Sequence, residues 1–418
     1  MGLARRNEPL GGAIILLLVY LFLEYVRPLN PLGVPLAISV VLFIWWMTLK
    51  TKVWAPQLVC LYLLVAAIAV MGPFAANNFA IWTGFRSMVA WLLCISIPMA
   101  CFANSLRKIR VLVNALIALH CYLGLYALLG SGRGPGGFVG DENDVALAIN
   151  TVMPLAFFSL LTAQTARGKL FYAAAVVTMV AGVVATSSRG GFLALVAVIV
   201  FCFLFSPRKR LGLAIGAALL LVGLPVVPES YWTEMATIAL DLDSEQEGTG
   251  GQRLRLWGVA MDMFWSNPIF GVGLNNFEYN VKNYVSAELW EKDPRRYLGQ
   301  TMHSVYFTIL AETGAVGSLL VAAITYFSVK SIRSVLAGAR KIEALTDLDA
   351  ETRANLLQIK GTAYGLGGGM IGYGVSGIFL TAFAYPQFWY AVALIVALEK
   401  VAEGIVANSS GPKSAAVR

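Results

Sequence analysis

The stretch TMHSVYFTILAETGAVGSLL, from Thr301 to Leu320, opens the apolar run that decides the fold class. The run continues to about residue 328, and an α-helix needs about 20 apolar residues to cross the hydrocarbon of a bilayer. It carries two ionisable residues, His303 at its start and Glu312 inside it. What these two residues do depends on where the membrane surface lies.

The composition of the whole chain agrees with this run. The 418 residues are 58% hydrophobic and 13% charged, whereas soluble proteins are about 45–50% apolar and about 25% charged. Further apolar runs recur, and they are too long for barrel strands, which alternate over about ten residues. We predict an all-α polytopic membrane protein that forms one integral membrane domain over residues 1–418. Its twelve predicted spans are 10–26, 31–49, 54–72, 78–102, 111–130, 144–164, 169–187, 191–206, 211–227, 303–328, 357–381 and 386–404.

The basic residues of the loops predict the orientation, because cytoplasmic loops carry the excess of Lys and Arg. With twelve spans, every basic cluster falls on the same side as Arg5 and Arg6. We therefore expect both termini in the cytoplasm, and the net charge of +8 then reflects topology and not a nucleic-acid partner. The clusters are Lys50 and Lys52; Arg107, Lys108 and Arg110; Arg167 and Lys169; SPRKR at 206–210; and Arg333, Arg340, Lys341, Arg353 and Lys360.

Two substantial loops then lie outside. One is the glycine-rich segment GSGRGPGGFVGDEND at 130–144, and the other is a large loop at 228–302, where acidic residues outnumber basic ones by eleven to six. The middle of the large loop, RLRLWGVAMDMFWSNPIFGVGLNNF at 253–277, has aromatic residues at helical spacing. This pattern predicts an amphipathic helix on the outer leaflet, closed by turns at SNP and GVG.

Cysteines and glycines in the spans indicate packing more than chemistry. The five cysteines lie in apolar runs without CxxC spacing, so we expect neither a disulfide framework nor a metal site. The small-residue spacings of GTAYGLGGGMIGYGVSG, at 361–377, favour close helix packing over the alternative of a hinge.

Three arginines depart from the positive-inside pattern: Arg189 in TSSRGGFL, Arg86 in the fourth span, and Arg133 in the glycine-rich loop. A charge within the membrane costs about 2.5–3.5 kcal/mol on insertion scales, so it pairs with another group or snorkels to the surface. The position of any of the three arginines is explained if its side chain extends to the membrane surface. Small neighbours around Arg189 also admit a large anion, and guanidinium is a planar fork suited to phosphate oxygens.

The two histidines differ in their positions. His120 lies in the middle of the fifth span, as a core histidine does, whereas His303 lies at the outer boundary, where a neutral imidazole can accept a proton or serve merely as an interfacial side chain. In one regular helix, Glu312 would lie about 180° and about 13.5 Å away from His303. We therefore expect Glu312 to pair inside the bundle, with an arginine from another span, and to support the site.

Three motifs in order resemble the bacterial O-antigen ligase superfamily, which includes O-antigen ligases, O-antigen polymerases and O-oligosaccharyltransferases. They are SSRGG at 187–191, the loop segment at 253–277 and HSVYFTILAETGAVG at 303–317. The segment GDENDVALAINTVMP, at 140–154, also resembles O-glycosylation ligases associated with exosortase systems.

The resemblance implies a GT-C-like glycosyltransferase of the bacterial inner membrane, with a periplasmic active site and no metal or other cofactor. The donor would be a glycan on undecaprenyl diphosphate, and the acceptor would be the lipid A-core. Matched to the motifs, His303 would serve the acceptor, while Arg189 and Arg253 would hold the diphosphate. Arg86 is carried over only as a supporting residue, together with Glu312. Trp257, Phe264 and Trp265 would line the path of the lipid tail.

Other functions remain open at this stage. A polymerase or a protein O-oligosaccharyltransferase shares the donor chemistry and differs only in its acceptor. A polysaccharide or solute transporter is a different class, but it would place charged residues near the midplane in paired halves. Here the unusual charges cluster at the outer boundary.

Overall fold

The computed structural model describes residues 10–28, 33–206, 209, 249–344 and 348–410. Within these ranges the chain is almost entirely helical and has no β-strand, in agreement with the predicted all-α membrane class. The predicted ninth span, 211–227, and the first part of the large loop, 228–248, lie outside the described residues.

Most helices follow the predicted runs closely, but the helix of the tenth run continues to Glu343, well beyond the predicted end at 328, and that of the eleventh begins at Ala350, before the predicted start at 357. We number them in chain order and count the helix of the large loop as α9. They are α1 Gly12–Val26, α2 Val34–Met47, α3 Pro56–Met71, α4 Asn78–Phe102, α5 Leu106–Leu129, α6 Glu142–Thr162, α7 Ala166–Ala185, α8 Arg189–Phe205, α9 Thr249–Ser266, α10 Val305–Glu343, α11 Ala350–Ser376 and α12 Pro386–Ser410. Two short helices, Phe277–Asn280 and Ala287–Lys292, follow α9.

Six of the described helices are long and apolar enough to cross a membrane. They are α3 with its short continuation to Phe74, α4, α5, α6, α7 and α10. Three more, α1, α2 and α8, are apolar but shorter. The chain therefore has the helices of a membrane protein, while the total of twelve spans stays a prediction.

Polar residues fix where several helices begin. The side chains of Ser105, Asp141 and Ser188 accept hydrogen bonds from the first backbone N–H groups of α5, α6 and α8, respectively. Such caps satisfy donors that have no partner within the helix. The local sequence therefore determines where these helices begin.

The glycine-rich α11 packs closely against α6, at the centre of the molecule. A Cβ atom at Gly369 would lie 2.3 Å from the carbonyl oxygen of Thr151, and one at Gly372 would lie 2.3 Å from that of Asn150. Backbone can approach backbone this closely only where the side chain is a hydrogen atom. The prediction of close helix packing is confirmed.

The large loop is built onto α10 at a break in that helix. Gly314 has a φ of 60° and interrupts the helical geometry. Loop amides enter the break: Val272 donates to the carbonyl oxygen of Ala311 (2.9 Å) and Gly273 to that of Glu312 (3.1 Å). In return, the amide of Ala315 donates to the carbonyl oxygen of Pro268 (2.8 Å). The break thus exchanges helical hydrogen bonds for bonds to the loop.

Helix α9 packs one face against α10 and the nearby loop. Leu256, Ala260 and Met263 are buried in a small core of their own, while Leu254 and Trp265 are exposed on another face. The predicted helix is confirmed as Thr249–Ser266. Its exposed apolar face suits the predicted position on the outer leaflet.

Candidate functional site

The N-terminal ends of α6, α8, α10 and α12 meet at one end of the bundle. Ser188, which caps α8, donates to the side chain of Asn143 in the first turn of α6 (2.6 Å). Tyr385, just before α12, donates to Asp144 of α6 (2.9 Å). Tyr306 of α10 donates to the carbonyl oxygen of Gly374 near the end of α11 (2.9 Å). These bonds bring the predicted outer loops into one region.

His303 lies two residues before α10, outside the helix. Its backbone is left-handed, with a φ of 46°, a conformation that is uncommon for residues other than glycine. The imidazole is partly buried, and its Nε2 atom lies 3.4 Å from the hydroxyl of Thr301. Burial lowers the pKa of His303, the positive charge of Arg253 lowers it further, and the negative charge of Asp141 opposes both. The imidazole is therefore neutral at pH 7 and can accept a proton.

Arg253 is held close to His303 through Trp257, one helical turn further along α9. The indole of Trp257 donates to the carbonyl oxygen of Met302 (2.8 Å), the residue before His303, and stacks on Phe307 of α10 (4.8 Å between ring centroids). The R-x-x-x-W spacing therefore places Arg253 on the same side of α9 as this anchor. The sequence predicted that Trp257 lines the path of the lipid tail. In the structure, Trp257 anchors α9 to the residue before His303.

The guanidinium group of Arg253 lies over the ring of Phe379, 5.9 Å from its centroid. Phe379 follows α11 and also packs against the first turn of α8, where a Cβ atom at Gly190 would lie 2.9 Å from the Cβ of Phe379. Arg189, the first residue of α8, directly precedes Gly190. One aromatic residue thus contacts both the arginine of the loop helix and the turn that bears the second arginine.

Phe379 and Asp141 are site residues that the sequence reasoning missed. Phe379 stands in an apolar run with no motif to mark it, and only the packing of α8 against the end of α11 reveals its place. Asp141 has a recognisable signal, because an aspartate three residues before Asp144 forms a capping box for α6. Burial raises the pKa of Asp141, but the hydrogen bonds donated by Asn143, a hydrogen bond with Glu142 and the positive charge of Arg133 together lower it, so the net shift is downward and Asp141 is ionised at pH 7.

Glu312 is buried, and its carboxylate binds the large loop. It accepts hydrogen bonds from the backbone amides of Asn275 (2.8 Å) and Phe277 (3.1 Å). The expectation of an arginine partner is wrong: in the described part of the chain, backbone amides of the large loop bind this carboxylate instead. Glu312 therefore fixes the position of the loop that carries α9.

Of the two remaining arginines, Arg133 acts on a site residue, because its positive charge lowers the pKa of Asp141. Arg86 is exposed on α4, and α4 packs at Gly84 against Leu274 and Asn275 of the large loop. Arg133 forms an exposed ion pair with Glu142 (2.8 Å).

The arrangement can hold an anion next to a proton acceptor. Two arginines lie on elements that contact Phe379, and the first turn of α8 has small residues and a positive helix end. His303 supplies an imidazole that is neutral at pH 7. Among the described residues, no group of three His, Cys, Asp or Glu side chains is placed to hold a metal ion.

Comparison with known proteins identifies one family. A family model described as O-antigen ligase matches residues 174–322. The matched region covers α8, α9 and the first part of α10, and it includes Arg189, Arg253, His303 and Glu312. No curated protein matches the chain. The resemblance inferred from the three motifs is confirmed for this region.

Proposed function

We propose that the protein is an O-antigen ligase of the bacterial inner membrane, because its residues 174–322 match a family model described as O-antigen ligase. It transfers a glycan from undecaprenyl diphosphate to a sugar hydroxyl of the lipid A-core. The reaction takes place at the periplasmic face, proceeds with inversion at the anomeric carbon, and uses neither a metal ion nor another cofactor.

Arg189 and Arg253 bind the diphosphate of the donor. When the acceptor oxygen attacks C1 of the glycan, the bond from C1 to the diphosphate oxygen breaks, and the departing lipid diphosphate keeps the electron pair. Negative charge therefore grows on the leaving group in the transition state. Two guanidinium groups and the N-terminus of α8 stabilise this charge more than that of the ground state, which lowers the barrier.

His303 is the general base. The acceptor hydroxyl gives its proton to the imidazole as the new C1–O bond forms, so the imidazolium carries the proton after transfer. A positioned general base contributes roughly 10²–10⁴-fold to the rate. The positive charge of Arg253 disfavours the protonated imidazole, which keeps His303 neutral before transfer. The negative charge that develops on the leaving diphosphate stabilises the imidazolium as it forms.

One observation supports the proposal more strongly than the others do. Arg253 lies over Phe379, which packs against the first turn of α8, and its charge acts on His303. The three residues that the family motifs single out are therefore grouped at one end of the bundle, although they are distant in sequence.

The direct test is transfer by the purified protein in detergent, with undecaprenyl-diphosphate glycan as donor and EDTA present. The acceptors are lipid A-core, a second lipid-linked repeat unit and an acceptor peptide. We expect transfer to lipid A-core. Transfer only to the repeat unit would make the protein a polymerase, and transfer only to the peptide an oligosaccharyltransferase. A requirement for added divalent metal would contradict the mechanism.

The arginine variants have a matched control on the same helix. Arg253→Ala removes one charge-assisted partner of the diphosphate and should lower kcat/KM by about 10- to 100-fold. Arg255→Ala removes the same charge two residues away, about 200° around the axis of α9, and should leave transfer close to wild type. Equal losses in the two variants would remove Arg253 from the diphosphate site.

A further inference from the structure

A second polar site lies at the opposite end of the helix bundle. A cleft of about 720 Å³ opens between the first turns of α5, α7 and α11 and the last turn of α6. Helix α6 has 21 residues and therefore runs for about 30 Å, at about 1.5 Å per residue. Asp141 precedes one end of α6 and Thr162 lies at the other, so about one bilayer thickness separates the cleft from the candidate active site.

The charged side chains of the cleft are mainly cationic. Arg107 and Arg110 of α5 line it, together with a single carboxylate, Glu351 of α11. Under the predicted orientation, these arginines belong to a cytoplasmic cluster that the sequence assigned to topology alone. The cleft indicates that the cluster also has a binding role, because it places two guanidinium groups in one recess.

Hydrogen bonds hold the polar wall of the cleft in place. Arg110 donates to the side-chain oxygen of Gln358, and the amide nitrogen of Gln358 donates to the carbonyl oxygen of Leu106 (2.9 Å). Across the cleft, Tyr172 of α7 donates to Asn114 of α5 (2.8 Å). These bonds join α5 to α11 and to α7, so the wall is formed before any ligand arrives.

The backbone adds to the positive potential. Hydroxyl groups cap α5 and α7, where Ser105 accepts from the amide of Lys108 and Thr165 from that of Gly168. These caps carry no charge, so the positive ends of both helices remain uncompensated by the caps. An anion in the cleft would therefore meet two guanidinium groups and two helix ends, whereas the third helix end, that of α11, is capped by the carboxylate of Asp349.

The surroundings of the cleft are apolar. On α7, Phe171 is 41% exposed, and its ring contacts that of Tyr172 in the cleft wall (5.2 Å between centroids). A polar, cationic recess beside an exposed apolar helix side fits an amphiphile whose anionic head enters the recess while its chains lie along the helix. A free anion would need only the recess.

We propose that the cleft binds the phosphate headgroup of an anionic phospholipid, in the leaflet opposite the candidate active site. Under the predicted orientation this is the cytoplasmic leaflet. Arg107 and Arg110 contact the phosphodiester, and the acyl chains lie against Phe171. The inference depends on the cleft alone and not on the proposed ligase activity.

The test measures ligand-dependent melting temperature of the purified full-length protein in a neutral detergent. The probes are dioleoylphosphatidylglycerol, dioleoylphosphatidylcholine and inorganic phosphate, each titrated separately. Because ligand binding to the folded state raises the melting temperature, phosphatidylglycerol should stabilise the wild-type protein, and the other two probes should not.

Three variants locate the effect. Arg107→Ala with Arg110→Ala should weaken the response to phosphatidylglycerol by about tenfold or more. Lys108→Ala with Arg353→Ala removes two basic residues of the same cytoplasmic side that do not line the cleft, and its response should match wild type. Ser159→Phe fills the cleft without changing a charge, and it should also abolish the response.

Each other outcome overturns the proposal. An equal response to inorganic phosphate would assign the cleft to a free anion, and an equal response to phosphatidylcholine would exclude recognition of net charge. A response kept by Ser159→Phe, or lost equally in both double variants, would place the lipid outside the cleft. The melting temperature of each variant is compared with and without ligand. A variant that melts at a lower temperature without ligand therefore still gives a clear result.

Discussion

The proton affinity of His303 is set by its burial and by two residues from separate elements. Burial and Arg253 of α9 lower its pKa, while Asp141 at the start of α6 raises it. The sequence could single out His303 and Arg253, because both lie in motifs with a fixed spacing. It could not predict the contribution of Asp141, because no local pattern brings the glycine-rich loop next to α10.

The pH dependence of transfer tests this residue-scale account. The lowered pKa of His303 places the acid limb of the kcat/KM profile below the ordinary value of about 6.5. The base works as the neutral imidazole, so transfer should rise as pH rises through this pKa. Arg253→Gln removes a charge that disfavours the imidazolium, so its acid limb should shift to higher pH.

Arg253→Lys is the control for the pH experiment, because it keeps the charge while losing the planar fork. Its rate should fall, while its acid limb should stay close to that of the wild-type protein. The kcat/KM profile reports the pKa values of the free enzyme, so the charge of a bound donor does not shift the acid limb. An acid limb at the same pH in Arg253→Gln and the wild type would show that Arg253 does not act on the base.

At the scale of elements, the sequence predicted the helices well and the break in α10 poorly. Apolar runs and N-capping residues mark helix positions locally, as at Asp141 and Ser188. The motif ETGAVG, in contrast, is compatible with a continuous helix. The break exists because loop residues 268–273 exchange backbone hydrogen bonds with α10, and a contact between distant segments has no periodicity in either one. The partners of Glu312 were mispredicted for the same reason.

Replacing Gly314 tests whether the break holds the loop. Gly314 has a φ of 60°, and an added Cβ would lie 2.6 Å from the backbone of Ile269 and of Gly271. Gly314→Ala should therefore destabilise the protein by about 1–3 kcal/mol, measured by unfolding in detergent. It should also lower transfer, because the loop carries α9 and Arg253.

Gly404→Ala is the matched control in α12, where an added Cβ meets no atom within 4 Å. It should leave the stability unchanged or raise it by up to about 1 kcal/mol, since alanine is the better helix former. A Gly314→Ala protein as stable and as active as Gly404→Ala would show that the break is not required.

At the scale of the whole molecule, the predicted orientation assigns each end of the helix bundle to one side of the membrane. The positive-inside pattern predicts the candidate active site outside and the cationic cleft inside. The bundle supports the separation of the two sites, because α6 runs between them. The sequence predicts an orientation, but it could not predict the cleft, whose walls come from four helices.

Labelling of single cysteines tests the orientation in a cysteine-free background that retains transfer. Glu288→Cys is exposed in the large loop, and Arg167→Cys is exposed at the start of α7. A membrane-impermeant maleimide should label Glu288→Cys when only the outer membrane is permeabilised, and Arg167→Cys only after the inner membrane is opened. The reverse pattern would place the candidate active site in the cytoplasm and end the ligase proposal.

The central claim is that His303 takes the proton of the acceptor while the arginines hold the donor. Single-turnover transfer by His303→Ala, with donor binding measured in parallel, tests it most directly. We expect transfer to fall by roughly 10²–10⁴-fold, with donor binding close to that of the wild-type protein. Transfer at the wild-type rate by His303→Ala would contradict the assignment of the base.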